Sequence, residues 1–219
     1  MAQMRHTYPD PTPALLAVLL LCAAPAFAQP EACELHVWPT NQHVVTQNFM
    51  DKGQLGLVGD IVNSTMQLAS PQYAEAALKA DLAPDVQQAL MRETDLAALF
   101  KLAGHRLVFH PPETVPIWTL DALKKPDRLA PDTPACYAEL AFISLQYLRE
   151  PMRSRLRSFV RYREYDASGK LRAKLLDTTA TPAANFPPRQ PEERAAATAG
   201  LQRAFRDNLA KLAHDKLKR

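Results

Sequence analysis

The sequence predicts an α+β domain: a mixed or antiparallel sheet of about four to five strands, with helices packed against it. Three observations carry this. The segment 33–38 alternates polar and apolar side chains and stops at Pro39. The stretch 136–178 reads as three consecutive strands, a C-terminal meander. Runs with helical spacing fill 71–103 and 192–217. Alternation places odd and even residues on opposite sheet faces, whereas a helix repeats its buried positions every three or four residues.

The meander is the most informative part. Its first strand, 136–148, is rich in aromatic and long apolar residues, including Tyr137, Phe142, Ile143 and Tyr147. The second, 154–165, alternates with period two. One face carries Leu156, Val160 and Tyr162; the other carries Arg153, Arg155, Arg157, Phe159, Arg161 and Arg163. The turn Asp166-Ala167-Ser168-Gly169 follows, with Gly169 available for a positive φ. A four-residue loop sets Tyr165 opposite Lys170, so Lys170, Arg172 and Lys174 are expected to join the arginine face. Leu171, Ala173 and Leu175 join the apolar one. The result is a row of eight cations on one face of a hairpin.

Charge supports this emphasis. The 219-residue chain carries a net charge of only +3, so it is not a globally basic nucleic-acid binder. From Arg149 to Lys174, nine cations face three anions, which makes that segment +6 and leaves −3 for the remainder. With 47% hydrophobic and 22% charged residues the composition is that of a globular chain. Nineteen prolines beside six glycines predict stiff loops.

In chain order, residues 1–28 are expected to form a secretory leader. Arg5 supplies the positive end, 14–24 an apolar run too short to span a membrane, and Ala26-Phe27-Ala28 a small-x-small cleavage site. Residues 29–219 are then a single periplasmic or secreted domain with no transmembrane segment. Leu21 precedes Cys22, where lipid attachment takes a small residue, so no lipid anchor is expected. Two cysteines remain, Cys33 and Cys136, and in an exported chain such a pair favours one disulfide over two buried thiols. That bridge would set strand 33–38 beside the Cys136 strand.

Gly53, Gly56 and Gly59 lack both the strand and the Gly-Lys-Ser/Thr that a phosphate loop needs, and close backbone packing explains them better. Pro71 opens one helix and Pro84 another, and Thr94 is read as the cap of a third over 95–103. Leu96, Leu99, Phe100 and Ala103 are its expected buried face, with Gly104 at its end. A short strand, 106–110, precedes a loop with six prolines between 111 and 135, in which Trp118 is expected to plug the core edge. The final helix, from about 192, packs Thr198, Leu201, Phe205, Leu209 and Leu212 on the sheet.

Catalytic motifs are sparse. Gly-x-Ser-x-Gly, His-Glu-x-x-His and Cys-x-x-Cys are all missing, and no metal or cofactor is expected. His105 and His110 are an odd number apart, so a regular strand points them to opposite faces. Glu139 is the one acid inside an otherwise apolar strand, read as an outward-facing residue, with a buried acid of raised pKa as the alternative. The arginine row remains. Like charges across strands repel, and arginine suits bidentate contact with phosphate or carboxylate. The reading is a non-catalytic binding or accessory protein of the cell envelope. It docks an anionic partner (lipid head group, acidic glycan or acidic protein, and not nucleic acid) through the basic hairpin face. An envelope hydrolase, with a site built from the proline-rich loops and Glu139, is the alternative.

Cys33-Glu34-Leu35-His36-Val37-Trp38-Pro39 directly after the leader resembles a set of uncharacterised secreted bacterial envelope proteins. Cys136-Tyr137-Ala138-Glu139-Leu140 and Asn208-Leu209-Ala210-Lys211 are similar to that set too. The resemblance brings no activity with it. The order of elements is similar to that of the periplasmic α/β domains of outer-membrane assembly lipoproteins, without their anchoring cysteine.

Overall fold

Cys33 and Cys136 are joined, with Cα atoms 4.7 Å apart across 103 residues of sequence. In the chain-entropy picture a loop of that length stabilises the fold by about 4–5 kcal/mol. The bridge ties two strands side by side: β1 (Glu34–Trp38) runs parallel to β4 (Tyr137–Arg149), with Glu34 opposite Tyr137 and His36 opposite Glu139. The computed structural model describes residues 33–47, 71–112, 128–149 and 154–217. All of them belong to the unit Glu31–Arg219, into which the chain divides after Pro30. The expected leader, Gly53, Gly56, Gly59, Trp118 and Arg153 lie outside the described residues.

The remaining elements are β2 (His43–Gln47), α1 (Pro71–Asp81), α2 (Pro84–Glu93), α3 (Leu96–Leu99) and β3 (Arg106–Phe109). They are followed by β5 (Ser154–Tyr165), β6 (Leu171–Pro182), a 3-10 turn (Pro191–Glu193) and α4 (Arg194–Leu217). The fold is α+β, and its mixed six-stranded sheet runs β3-β1-β4-β5-β6, with β2 also on β4. β1 pairs parallel with both β3 and β4, and β4, β5 and β6 form the antiparallel meander.

The sheet has one strand more than the sequence reading. β4, at 13 residues, is long enough to hold β1 and β2 end to end along one edge. Between them Pro39 has no N–H to give, and the link is held instead by side chains. Thr40 Oγ1 donates to the Ile143 carbonyl at 3.0 Å. Gln87, fully buried on α2, accepts from Thr40 N at 3.0 Å and donates to the Thr40 and Leu82 carbonyls. A buried amide used this way satisfies backbone groups that no strand neighbour reaches.

One sheet face is the core. Leu35, Val37, Leu140, Leu156, Val160 and Tyr162 have no exposure, and Leu201, Phe205, Leu209 and Leu212 of α4 cover them as expected. Phe142 stacks on Phe205 with ring centroids 5.1 Å apart, and Phe100 on Tyr162 at 5.2 Å. Each such side chain contributes about 1.5–3 kcal/mol by leaving water. Strand β4 showed no clean alternation in sequence because its register shifts between Phe142 and Ser144, so Phe142 and Leu145 both reach the core. Gly200 marks the closest approach: a Cβ there would lie 1.9 Å from the Ala184 carbonyl oxygen.

The third helix is shorter than the sequence reading and differently capped. Asp95, rather than Thr94, accepts the capping bond from Ala98 N at 3.0 Å, while the Thr94 hydroxyl donates back to the Leu90 carbonyl. The helix stops after Leu99 because Lys101 turns left-handed at φ 53°, and Gly104 at φ 80° serves the next turn. This rotates Leu102 inward in place of Ala103, which is exposed. Among the described residues no helix is long and apolar enough to cross a membrane.

Candidate functional site

The second sheet face carries the polar chemistry. Register places Glu34, His36 and Trp38 of β1, Tyr137 and Glu139 of β4, and Arg161, Arg163 and Tyr165 of β5 on this side. These residues form two adjoining clusters.

The first centres on Glu139, which is completely buried. Its Oε2 accepts from the Tyr137 hydroxyl at 2.8 Å and from the Leu129 backbone N–H at 3.0 Å. Its Oε1 lies 2.8 Å from Arg161 Nη2 and 4.0 Å from Arg163 Nε. Arg161 and Arg163 are 3% and 4% exposed. Burial works against the Arg161 charge and Glu139 opposes that pull; burial and the same carboxylate push the Tyr137 hydroxyl well above its ordinary range. The Arg128 guanidinium lies over the Tyr165 ring at 4.7 Å and the Tyr137 ring at 5.2 Å, and it donates to the Pro134 and Ala135 carbonyls. Glu139 thus lies buried between two guanidinium groups.

The second cluster is a hydrogen-bonded chain. Glu34 Oε2 lies 2.8 Å from His36 Nε2, and His36 Nδ1 lies 2.7 Å from His110 Nε2. Arg106 pairs with the other Glu34 oxygen. Glu34 can only accept, so His36 Nε2 carries a proton, and one further proton is shared between the two imidazoles. Trp38 stacks flat on His110, with centroids 4.2 Å apart and planes 6° from parallel, and Gln88 Nε2 donates to the His110 carbonyl. The hydrogen bond from His36, helped by Arg106, holds the Glu34 carboxyl below its usual range. Burial first, and the neighbouring His36 charge second, lower the pKa of His110. His36 is buried and His110 half-buried, so the chain runs from a fixed carboxylate to a partly accessible imidazole.

The predicted cation row is broken in the structure. Arg161 and Arg163 point the expected way but are inside, on Glu139. Glu139 itself is buried rather than outward-facing. Arg155, Arg157 and Phe159 are half-buried, and Lys170, Arg172 and Lys174 are exposed. Tyr165 pairs with Leu171 rather than Lys170, because the β5–β6 register shifts between Glu164 and Tyr165. Lys174 stays opposite Arg163, but strict alternation is lost beyond it towards the turn. The turn itself is as expected: Gly169 has φ 76°, and Asp166 Oδ1 accepts from Ser168 N and Lys170 N.

Sequence reasoning missed the Glu34–His36–His110 chain. The available signal was the spacing of two between Glu34 and His36, which puts them on one face of a strand. The odd spacing of His105 and His110 did separate those two: His105 turns to Cys136, His110 to His36.

No protein-family model matches the chain, and no curated protein matches it. Similar solved structures include a hypothetical protein from Chlamydia trachomatis, 8% identical over 83% of this chain and 96% of that one, with a TM-score of 0.32. Another is an uncharacterized protein, 12% identical over 85% of this chain and 95% of that one, also at 0.32. Likeness at this level carries no argument.

Proposed function

We propose that the protein is a non-catalytic binding or accessory protein of the cell envelope that docks an anionic partner through the basic hairpin, at the exposed cations of β6 and its turn. One observation carries this reading. Lys170, Arg172 and Lys174 are exposed and form no ion pair among the described residues, whereas Arg106, Arg161, Arg194 and Arg206 each hold an acid. Asp166 lies near Arg172 but is occupied in closing its own turn. The partner would be a phosphate-bearing lipid head group, an acidic glycan or an acidic protein, all recognised by guanidinium and ammonium donors.

The test is retention of envelope extract by immobilised protein (residues 29–219) at low and high salt, beside K170E/R172E/K174E. Docking through this edge predicts a partner released by salt and held at least about tenfold more weakly by the variant. Equal retention by both chains overturns the reading. It would leave the cations as guards against strand-to-strand pairing.

The Glu34–His36–His110 chain favours a second reading, an envelope hydrolase. His110 would accept a proton from an attacking group while His36 and Glu34 support the charge that develops. Activity on an ester, phosphoester or glycoside panel, lost in His110→Asn and indifferent to salt, would establish it. A panel without activity removes it.

A further inference from the structure

A third group of side chains lies at the starts of β1, β3 and β4, beside the two polar clusters. His105 Nε2 is 3.9 Å from Cys136 Sγ, and a ring nitrogen of His105 and both sulfurs lie within 4.8 Å of one another. All three residues are half-buried rather than buried. The other ring nitrogen is already assigned. His105 Nδ1 lies 3.1 Å from the Leu102 carbonyl, which can only accept, so Nδ1 carries a proton and Nε2 is the nitrogen that exchanges one beside the sulfur. The imidazole is held in place by the Leu102 contacts, with His105 N also bonded to the Leu102 carbonyl at 3.1 Å.

We propose that Cys33–Cys136 with His105 is a thiol–disulfide exchange site rather than a staple alone, and that its co-reactant is a dithiol. An incoming thiolate attacks Cys33 Sγ and forms a mixed disulfide. The electron pair of the Cys33–Cys136 bond passes to Cys136 Sγ, which leaves as a thiolate beside the Nε2–H of protonated His105. The second thiol of the dithiol, deprotonated in turn, attacks its own sulfur in the mixed disulfide. Cys33 is released as a thiolate, and the dithiol closes to its own disulfide. The protein gains two electrons and the dithiol loses two; the two protons of the dithiol end on the released sulfurs, on His105 or in solvent. A stabilised leaving thiolate makes exchange faster, and it makes Cys136 rather than Cys33 the leaving group. Charged groups of the adjoining segments are committed elsewhere: Glu34 to His36, Arg106 to Glu34, and Arg128 to the carbonyls before Cys136.

The experiment measures the rate at which dithiothreitol reduces the oxidised chain (residues 29–219), compared with His105→Gln and His105→Ala. Rates, corrected for thiolate concentration, are read by acid quenching and mass, and so need no folded reduced state. The expected result is a wild-type rate about tenfold above both variants, an advantage that vanishes in urea, where His105 no longer sits beside Cys136. If the reduced chain stays folded, its exchange constant shifts about tenfold as well, which is about 30 mV for this two-electron couple. Alkylation of the first mixed disulfide should mark Cys136. Native rates within twofold of each other for the three chains overturn the proposal, as does a difference that persists in urea; the bridge would then be a staple only.

Discussion

Arg161 and Arg163 belong to the same hairpin as Lys170, Arg172 and Lys174, yet the two groups have opposite fates. The arginines of the central strand β5 have Glu139 and Tyr137 on one neighbouring strand, under the segment that carries Arg128. They are buried and share one carboxylate. The cations of β6 and its turn stand at the sheet edge, where no further strand follows among the described residues, and stay in water. A period-two charge pattern therefore sets which way a side chain points only where the register is regular, as in β5, while its place in the strand order decides whether it meets a partner or solvent.

The largest test of this contrast removes the shared carboxylate. Glu139→Ala leaves two buried guanidinium groups without their acid, and should destabilise the fold by about 3–5 kcal/mol in urea unfolding. Replacing all three partners together (E139M/R161M/R163M) should recover most of that loss, since a well-packed apolar trio needs no counter-charge. A triple variant as unstable as Glu139→Ala would show that Glu139 acts through its bonds to Tyr137 and Leu129 instead.

Next is the bridge that anchors the covered end. C33S/C136S should lose about 2–5 kcal/mol. The loss should concentrate at β1 and the start of β4 in hydrogen exchange, leaving the β5–β6 edge little changed.

A smaller effect concerns pH. The folded state holds His110 below the ordinary imidazole pKa, so near that value the unfolded chain binds more protons than the folded one. Stability is therefore complete above about pH 6.5 and falls as pH drops through the folded value. Glu34 acts in the same direction at lower pH, because its pKa is also depressed in the fold. His110→Asn should flatten the slope of stability between about pH 7 and 5 without touching the carboxylate limb below it. An unchanged slope would move the acid sensitivity to another group.

The smallest stability effect belongs to the exposed edge. Lys170→Ala, Arg172→Ala and Lys174→Ala should each stay within about 0.5 kcal/mol of wild type in thermal unfolding. A larger loss at any of them would mean that the edge cations, like Arg161, have a structural partner.

Much of this molecule was legible in its chain. The turn at Gly169, the helices opened by Pro71 and Pro84, the apolar stripe of α4 and the pairing of Cys33 with Cys136 each follow from local rules or from simple counting. β2 was not legible, because its backbone partner is the far half of β4 and its approach is satisfied by the buried amide of Gln87. Nor was the role of Glu139, read as an outward residue, because burial depends on what covers a face and a single strand carries no record of that.

Sequence alone determined the α+β class, the two faces of β5, and which side chains could carry charge. These are short-range consequences of backbone periodicity and residue chemistry. Tertiary structure decided which charges are neutralised, which histidines meet and which nitrogen faces the disulfide. His36 and His110 are 74 residues apart and become neighbours only because β1 and β3 pair in parallel. A proton shared over 2.7 Å depends on that register, and no local pattern encodes it.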